Sequence, residues 1–160
     1  MREESDIRGT VTFSLIYIDM DLCCYTDGAY SPARNKGGIG IVFVRDSEKI
    51  YEYSKSIANT TNNKCEILAV IYALNAVSTN FDSITIFTDS QYVIGCASKG
   101  WSRHKNKEYW KLYDDVYNKA SKYCSNIKFE WVKGHTGNID YNSKMNDLAD
   151  NLAVEASKEL

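Results

Sequence analysis

The sequence predicts an α/β protein whose single mixed sheet is flanked by helices. Three observations support this: strand-like apolar runs come first, a segment with helical periodicity follows them, and the two kinds of segment then alternate. Successive strands with short links form antiparallel hairpins, whereas strands joined through helices are parallel and covered by them. The predicted element order is therefore βββαβααβα, a five-stranded sheet of three antiparallel strands followed by parallel ones.

The first half of the chain predicts a three-stranded meander. Residues 22–26 form a short apolar run that ends at Asp27, and residues 39–44 form a second run. Residues 49–57 alternate between apolar and polar side chains, which predicts a third strand. A β-branched and aromatic segment at 11–18 precedes the meander, and we expect a strand or an ordered extension there.

The remaining elements follow from changes in hydrophobic period. Apolar residues at helical spacing predict a helix that begins at an Asn62 or Asn63 cap and extends through Ala76. The later elements are expected to be a strand at 84–87, a helix that opens at Ser90 and Gln91, a helix at 107–123, a strand at 127–132 and a helix at 146–156. In the last helix, Leu148, Leu152 and Ala156 are expected to point inward.

The composition fits one compact domain. The chain has 160 residues, of which 44% are hydrophobic and 25% charged, enough for an ordinary core. Its five cysteines fall in apolar segments and show no Cys-x-x-Cys spacing, so we expect reduced core thiols and no zinc site. The acidic start and the lack of a long apolar run predict an intracellular protein, in the cytoplasm or nucleus, and a viral source is compatible.

Charge is unevenly distributed along the chain. The formal net charge is −2, but residues 99–135 carry nine basic and four acidic side chains, a local balance of +5 that leaves −7 elsewhere. A local basic face is compatible with nucleic-acid contact, although a solvated helix surface gives the same pattern. Charge alone leaves both interpretations open.

Four carboxylates occupy distinctive positions in this pattern. Asp27 and Asp89 each end a predicted strand, whereas Glu66 and Asp150 lie in the first and last predicted helices. Each alone has an ordinary role as a turn or helix-dipole residue. Functional groups of an open α/β sheet collect outside the strand ends, however, and carboxylates gathered there persist mainly when divalent cations neutralise them. The set therefore suggests a metal-dependent enzyme.

Five motifs surround these residues in order. They are Tyr-Thr-Asp-Gly, Thr-Thr-Asn-Asn-x-x-Glu, Thr-Asp-Ser-Gln-Tyr-Val, Trp-Val-Lys-Gly-His-Thr-Gly and Asn-x-x-Ala-Asp-x-Leu-Ala. Together they resemble type 1 ribonuclease H across residues 21–156. The resemblance implies a ribonuclease H-like fold, with a ribonuclease H catalytic domain at 21–160 and an N-terminal extension at 1–20 whose structure the motifs do not predict.

The resemblance also implies a reaction, the endonucleolytic hydrolysis of the RNA strand of RNA/DNA hybrids, which gives 5′-phosphate and 3′-hydroxyl products. Two Mg²⁺ ions, or Mn²⁺, would be bound by Asp27, Glu66, Asp89 and Asp150, with Asp27 shared and Glu66 also facing a ribose 2′-hydroxyl. Carboxylate oxygens suit these cations, and two ions roughly 4 Å apart can hold the attacking and leaving oxygens of a phosphodiester. His135 is implied as a catalytic residue that assists product release, although a lone loop histidine is more often a surface residue.

The fourth carboxylate leaves an alignment choice. The stretch between His135 and Asp150 is longer than in the family pattern, so Asp147, and more weakly Asp140, are alternative ligands. The motif around Asn146 favours Asp150, with Asn146 one helical turn earlier as its supporting residue.

The resemblance further implies contacts to the hybrid, which would be recognised by its minor-groove shape and its 2′-hydroxyls. The implied substrate-binding residues are Gly28, Thr61, Asn62, Asn63, Ser90, Gln91, Asn146 and Trp101. Helix capping and core packing are the ordinary alternatives for an asparagine and a tryptophan at such positions. A brief connection at 99–107 replaces the basic helix and loop of many family members, so we expect weak, salt-sensitive binding.

Other interpretations stay open. A ribonuclease H-like DNA nuclease of the resolvase or integrase type would prefer branched DNA. A domain of the reverse transcriptase type would depend on a partner, and a non-catalytic hybrid-binding module would lack one of the acids. We expect an RNA/DNA hybrid as the partner, no membrane association, and a monomer.

Overall fold

The computed structural model describes residues 20–134 and 140–159, so the predicted segment at 11–18 and His135 lie outside the described residues. Strands and helices follow one another in the predicted order. The strands are β1 (Asp21–Ser31), β2 (Lys36–Arg45), β3 (Glu48–Ala58), β4 (Ser83–Thr88) and β5 (Ile127–Trp131). The helices are α1 (Asn62–Asn75), α2 (Gln91–Ser98), α3 (Lys107–Ala120) and α4 (Tyr141–Ser157).

The five strands form one mixed sheet in the order β3-β2-β1-β4-β5. Strand β2 pairs antiparallel with β1 and with β3, whereas the β1–β4 and β4–β5 pairs are parallel. The parallel pairs need helical crossovers because the chain must return to the same end of the sheet. The predicted α/β architecture is confirmed.

Strand β1 runs further than predicted. Its pairing with β4 stops at Tyr25 opposite Phe87, but its pairing with β2 continues to Ser31 opposite Lys36. The prediction that Asp27 ends the strand was therefore wrong, because the β1–β2 hairpin continues past it. Asp27 does lie just beyond the last parallel pair, which places it close to the end of β4.

The first helix is capped by a threonine and not by either predicted asparagine. Thr61 has extended backbone, and its Oγ1 accepts a hydrogen bond from the Lys64 amide at 3.2 Å. This bond satisfies one of the amide groups that the first turn of a helix leaves unpaired. Asn62 and Asn63 are consequently the first two helical residues, and their side chains are exposed.

Helix α4 begins at Tyr141, one and a half turns before the predicted start. The Asp140 side chain caps it by accepting hydrogen bonds from the Ser143 amide at 3.0 Å and from the Ser143 hydroxyl at 2.9 Å. The apolar period could not reveal this start, because the first turn is largely polar. Helix α3, in contrast, ends at Ala120, before its predicted end, and the chain turns there.

Small residues form the most buried face of α4, where Ala149, Ala153 and Ala156 lie. Ala156 is inward as predicted, and Leu148 and Leu152 are partly buried and pack against a cluster of buried apolar residues. A methyl group added at Gly40 of β2 would lie 2.2 Å from the Ala149 carbonyl oxygen. One added at Gly38 would lie 2.1 Å from the Ala153 carbonyl oxygen. The backbones of helix and strand approach so closely that only small side chains fit between them.

The main apolar core joins the sheet to α1, α2 and α3, and a smaller one lies between the sheet and α4. All five cysteines are free thiols, as predicted; four are buried in the core, and Cys23 is partly buried. Within the described ranges, no helix is both long and apolar enough to cross a membrane. The intracellular location and the monomeric state stay predictions.

Candidate active site

Carboxylates from three elements meet beside the ends of the β1–β4 ladder. One oxygen from each of Asp27, Glu66 and Asp89 lies within 4.8 Å of the other two. The parallel pairing of β1 and β4 brings the two aspartates together, and α1 packs against β1 to add the glutamate. Asp27 and Glu66 are buried, and Asp89 is partly buried.

Gly28 holds two of these carboxylates side by side. Its amide donates hydrogen bonds to Glu66 Oε1 at 2.8 Å and to Asp27 Oδ1 at 2.9 Å. A Cβ atom at this position would lie 2.6 Å from both the Cys65 carbonyl carbon and the Glu66 amide nitrogen. The glycine is therefore needed for the close approach of α1 to β1, which brings Glu66 into the cluster.

Asp150 reaches the cluster from α4. Its side chain is hydrogen-bonded to that of Asp27, and its charge acts on both Asp27 and Glu66. Helix α4 can place it there because the helix packs on β1 and β2. The fourth predicted carboxylate thus contacts Asp27, beside the three whose oxygens lie within 4.8 Å of one another. The two alternatives lie elsewhere on α4: Asp140 caps its N-terminus, and Asp147 is a partly buried residue one turn before Asp150.

The electrostatic state of the cluster follows from burial and crowding. Burial raises the pKa of Asp27 far above its ordinary range, and the charges of Glu66, Asp89 and Asp150 raise it further. Burial also raises the pKa of Glu66, with Asp89 adding to the effect and the Gly28 amide opposing it. Without a cation, the cluster therefore retains protons at neutral pH.

The donor set fits a hard divalent cation. All the candidate ligand atoms are carboxylate oxygens, which Mg²⁺ and Mn²⁺ prefer. The thiol next in sequence, Cys65, is buried and shares a hydrogen bond with the Thr60 hydroxyl. Burial raises the pKa of that thiol, so it does not supply the thiolate that zinc would favour. A bound cation would replace the protons that the metal-free cluster holds.

Asp89 lies in a fixed turn between β4 and α2. The Thr88 hydroxyl accepts a hydrogen bond from the Ser90 amide at 3.0 Å, and the Ser90 hydroxyl accepts one from the Val93 amide at 3.2 Å. Ser90 is therefore the N-cap of α2, which agrees with the predicted start of that helix at Ser90 and Gln91. Gln91, the first helical residue, is exposed beside it.

The other predicted substrate contacts differ in exposure. The exposed ones are Thr61, Asn62, Asn63 and Gln91, and Ser90 is partly buried. Asn146 is only 1% exposed, and its Oδ1 has no hydrogen-bond partner among the described residues. Asn146 thus faces the interior, one helical turn before Asp150.

Trp101 is 48% exposed, so the core-packing alternative does not hold for it. Its ring lies over Gly95, where an added methyl group would be 2.1 Å from two ring carbons. Together with Gln91, Lys99 and Trp131, it lines an open groove between α2 and β5. The groove thus contains two exposed aromatic rings, one basic side chain and the acidic Glu130, and its Trp131 contacts Asp89.

The short connection after α2 is anchored by Arg103. Its Nε donates a hydrogen bond to the Cys96 carbonyl oxygen at 2.9 Å, and its Nη1 donates to both Asp114 carboxylate oxygens at 2.9 and 3.0 Å. Its guanidinium also lies 5.0 Å from the centroid of the Trp110 ring. This cation therefore stabilises the fold. The basic surface predicted for this segment depends on its lysines, all of which are exposed.

Two further residues contact Asp89 that the sequence analysis did not single out. The indole Nε1 of Trp131 donates to the Asp89 carbonyl oxygen at 3.3 Å. A methyl group at Gly134 would lie 2.7 Å from Asp89 Oδ2. Both residues belong to the Trp-Val-Lys-Gly-His-Thr-Gly motif, but their contacts depend on how β5 pairs with β4, which the motif does not encode.

Sequence comparison supports the resemblance stated above. The RNase H family model matches residues 19–158. A relative named ribonuclease H, from Trichodesmium erythraeum, is 34% identical over 149 residues and is aligned over 88% of this chain and 90% of its own length.

Solved structures share the fold. LC11-RNase H1, which was crystallised in complex with an RNA/DNA hybrid, has a TM-score of 0.68 and 22% identity, over 85% of this chain and 96% of its own. The protease-reverse transcriptase of prototype foamy virus has a TM-score of 0.71 and 26% identity, over 88% of this chain and 21% of its own. The predicted ribonuclease H-like fold is confirmed.

Proposed function

The chain belongs to the ribonuclease H family, and on that premise we propose that it hydrolyses the RNA strand of RNA/DNA hybrids at internal positions. The convergence of Asp27, Glu66, Asp89 and Asp150 from four separate segments of the chain carries the proposal. A turn or helix-dipole role could explain any one of them. It does not explain four acids at one place, of which two are buried and would repel each other when ionised.

We propose that two Mg²⁺ or Mn²⁺ ions bind this cluster and that Asp27 is shared between them. Such a pair of cations, when bound, activates a water molecule and stabilises the leaving oxygen of a phosphodiester. The chain contributes the fixed geometry: the Gly28 amide already orients Asp27 and Glu66, so neither carboxylate has to be ordered during binding. The expected products are a 5′-phosphate and a 3′-hydroxyl.

Recognition of the hybrid is proposed through exposed polar residues near the cluster. Thr61, Asn62 and Asn63 begin α1 on one side of Glu66, and Gln91 begins α2 next to Asp89. These side chains could read the sugars of a wide minor groove, while Glu66 faces a 2′-hydroxyl. Lys99, which is exposed and lines the groove with Gln91, would contact phosphates. The role of His135 in product release stays a prediction.

Strand-specific cleavage tests the proposal. A hybrid labelled on either strand is incubated with the 160-residue chain and Mg²⁺, Mn²⁺ or EDTA. We expect internal cuts in the RNA strand, an intact DNA strand, 3′-hydroxyl ends that a polymerase can extend, and no cleavage with EDTA. No cleavage of the hybrid alongside efficient cleavage of branched DNA would overturn the proposal in favour of a resolvase-type nuclease.

A second candidate is a domain that acts only beside a polymerase. The similarity to the foamy virus protein favours it, because that match covers 88% of this chain but only 21% of the viral one. The isolated chain discriminates between the two. Cleavage by the isolated chain supports an autonomous enzyme, whereas binding of the hybrid without cleavage supports the dependent domain.

A further inference from the structure

We propose that the segment at the end of β5 positions the Asp89 carboxylate for cation binding, through Gly134 and Trp131. The inference rests on the proposed function, because Asp89 matters here as a cation ligand. It assigns positioning roles to two residues outside the carboxylate cluster.

Asp89 differs from Asp27 in its backbone support. Asp27 lies within a continuous β1 strand, whereas β4 ends at Thr88, one residue before Asp89. The last parallel pair joins Thr88 to Trp131, and the next amide, that of Val132, donates to the Thr88 carbonyl oxygen at 3.0 Å. The chain that leaves β5 therefore continues alongside Asp89.

Trp131 contacts the backbone of Asp89. An indole has a single hydrogen-bond donor, and here it is directed at the Asp89 carbonyl oxygen at 3.3 Å. The Trp131 side chain is 48% exposed, in contrast to the 2% of the core residue Trp110. Burial of apolar surface therefore contributes less to the placement of Trp131 than to that of Trp110, and the hydrogen bond to Asp89 contributes more.

Gly134 limits where the Asp89 carboxylate can lie. A methyl group at Gly134 would be 2.7 Å from Asp89 Oδ2 and 3.5 Å from its Cβ and Cγ. The backbone at Gly134 does not have a positive φ, so an alanine could adopt it without strain. The missing side chain therefore serves the close approach of the loop to the carboxylate.

The two contacts predict separable effects of substitution. In Gly134→Ala, the atom that must move is the tip of the Asp89 side chain, so the carboxylate shifts while the fold is retained. In Trp131→Phe, the aromatic ring is kept and the donor to the Asp89 carbonyl is lost. Outer residues that orient metal ligands typically change metal affinity by about 10–100-fold when mutated.

Titration of Mn²⁺ alone tests the proposal by calorimetry, without nucleic acid. We expect Mn²⁺ affinity to fall about tenfold in Gly134→Ala. A smaller loss, about threefold, is expected in Trp131→Phe, because its hydrogen bond is exposed. The melting temperature of each cation-free variant should stay within about 3 °C of wild type, since neither change opens a cavity in the core.

Tyr51→Phe is the matched control for the loss of an aromatic donor. Tyr51 is 60% exposed on β3, at the opposite edge of the sheet from β5, so its replacement should leave Mn²⁺ affinity unchanged. Wild-type affinity in both Gly134→Ala and Trp131→Phe would overturn the proposal; if Gly134→Ala does not fold, Trp131→Phe decides alone. A wild-type chain that binds no Mn²⁺ would instead overturn the proposed cation site itself.

Discussion

Asp27 combines burial with the crowding of like charges. Burial is the main cause of its raised pKa, and three neighbouring carboxylates add to it. In the cation-free protein, ionisation of this group opposes folding, and a bound cation would remove that opposition. Asp27 is therefore needed for the proposed reaction, although it lowers the stability of the cation-free fold.

The cation-free protein should lose stability as the pH rises from 5 to 8. Asp27 and Glu66 have raised pKa values in the fold, so the native state binds more protons than the unfolded state once the pH exceeds about 4. The free energy of unfolding then falls with rising pH and levels off only above the folded pKa values. Thermal unfolding in EDTA measures this effect. Added Mg²⁺ should stabilise the protein more at pH 8 than at pH 5. Equal stabilisation at both would argue against raised carboxyl pKa values in the cation-free cluster.

Asp27→Asn should stabilise the cation-free protein while it abolishes activity. Asparagine cannot ionise, so it removes the cost of keeping this buried carboxyl protonated at pH 8, and the free energy of unfolding should rise by about 1 kcal/mol or more. Losing the shared ligand should reduce hybrid cleavage by about a thousandfold or more. Asp115→Asn, at an exposed acid of α3, is the control and should change neither quantity. A less stable Asp27→Asn protein would argue against a charge penalty at this position.

At the scale of secondary structure, α4 is positioned by the glycines of β2. The helix carries Asp150, and its small buried face lies against Gly38 and Gly40. Two carbonyl oxygens of the helix would lie within 2.2 Å of methyl groups added at these glycines. The depth at which α4 sits on the sheet therefore determines whether Asp150 reaches Asp27.

Gly40→Ala should lower both stability and activity. The added methyl group must displace α4, which should cost about 3 kcal/mol in the free energy of unfolding and reduce cleavage through Asp150. Ser54→Ala is the matched control, because Ser54 pairs with Gly40 across the β2–β3 ladder and is exposed. Chemical denaturation and hybrid cleavage measure the two effects. A Gly40→Ala protein with wild-type stability would show that α4 does not depend on this contact.

The order of the elements could be predicted from the sequence because hydrophobic period distinguishes strands from helices. Asp150 could be favoured over Asp147 as the fourth carboxylate because it lies in the Asn-x-x-Ala-Asp-x-Leu-Ala motif. The longer segment before this motif does not change that match. The start of α4 could not be predicted, since Asp140 caps a turn with little apolar content. The Trp-Val-Lys-Gly-His-Thr-Gly motif marked Trp131 and Gly134, but their contacts with Asp89 could not be predicted, because they arise between segments that are distant in sequence.

At the scale of the whole molecule, the net charge is −2, yet a lysine-rich segment follows α2. Its lysines are exposed, while its only arginine is engaged with Asp114 and Trp110. Binding of a hybrid would therefore depend on a limited set of flexible cations. The division of the chain into an extension at 1–20 and a catalytic domain at 21–160 stays a prediction.

Affinity for the hybrid should fall steeply with salt. Phosphate contacts release counterions, so even a few lysine contacts should raise the dissociation constant by about tenfold or more between about 50 and 200 mM salt. Fluorescence anisotropy with a labelled hybrid in Ca²⁺ measures this. Lys99→Gln, beside the Trp101 groove, should reduce the salt slope, whereas Lys49→Gln on β3 should leave it unchanged. A salt-independent dissociation constant would argue against phosphate contacts.

Comparative hybrid cleavage asks directly whether Asp27, Glu66, Asp89 and Asp150 act as one site. Six variants are compared at saturating Mg²⁺: each of these acids replaced by its amide, together with Asp147→Asn and Asp140→Asn. We expect losses of about a hundredfold or more for the first four and activity within about threefold of wild type for the last two. Full activity in Asp150→Asn, together with its loss in Asp147→Asn, would contradict the assignment of the fourth ligand.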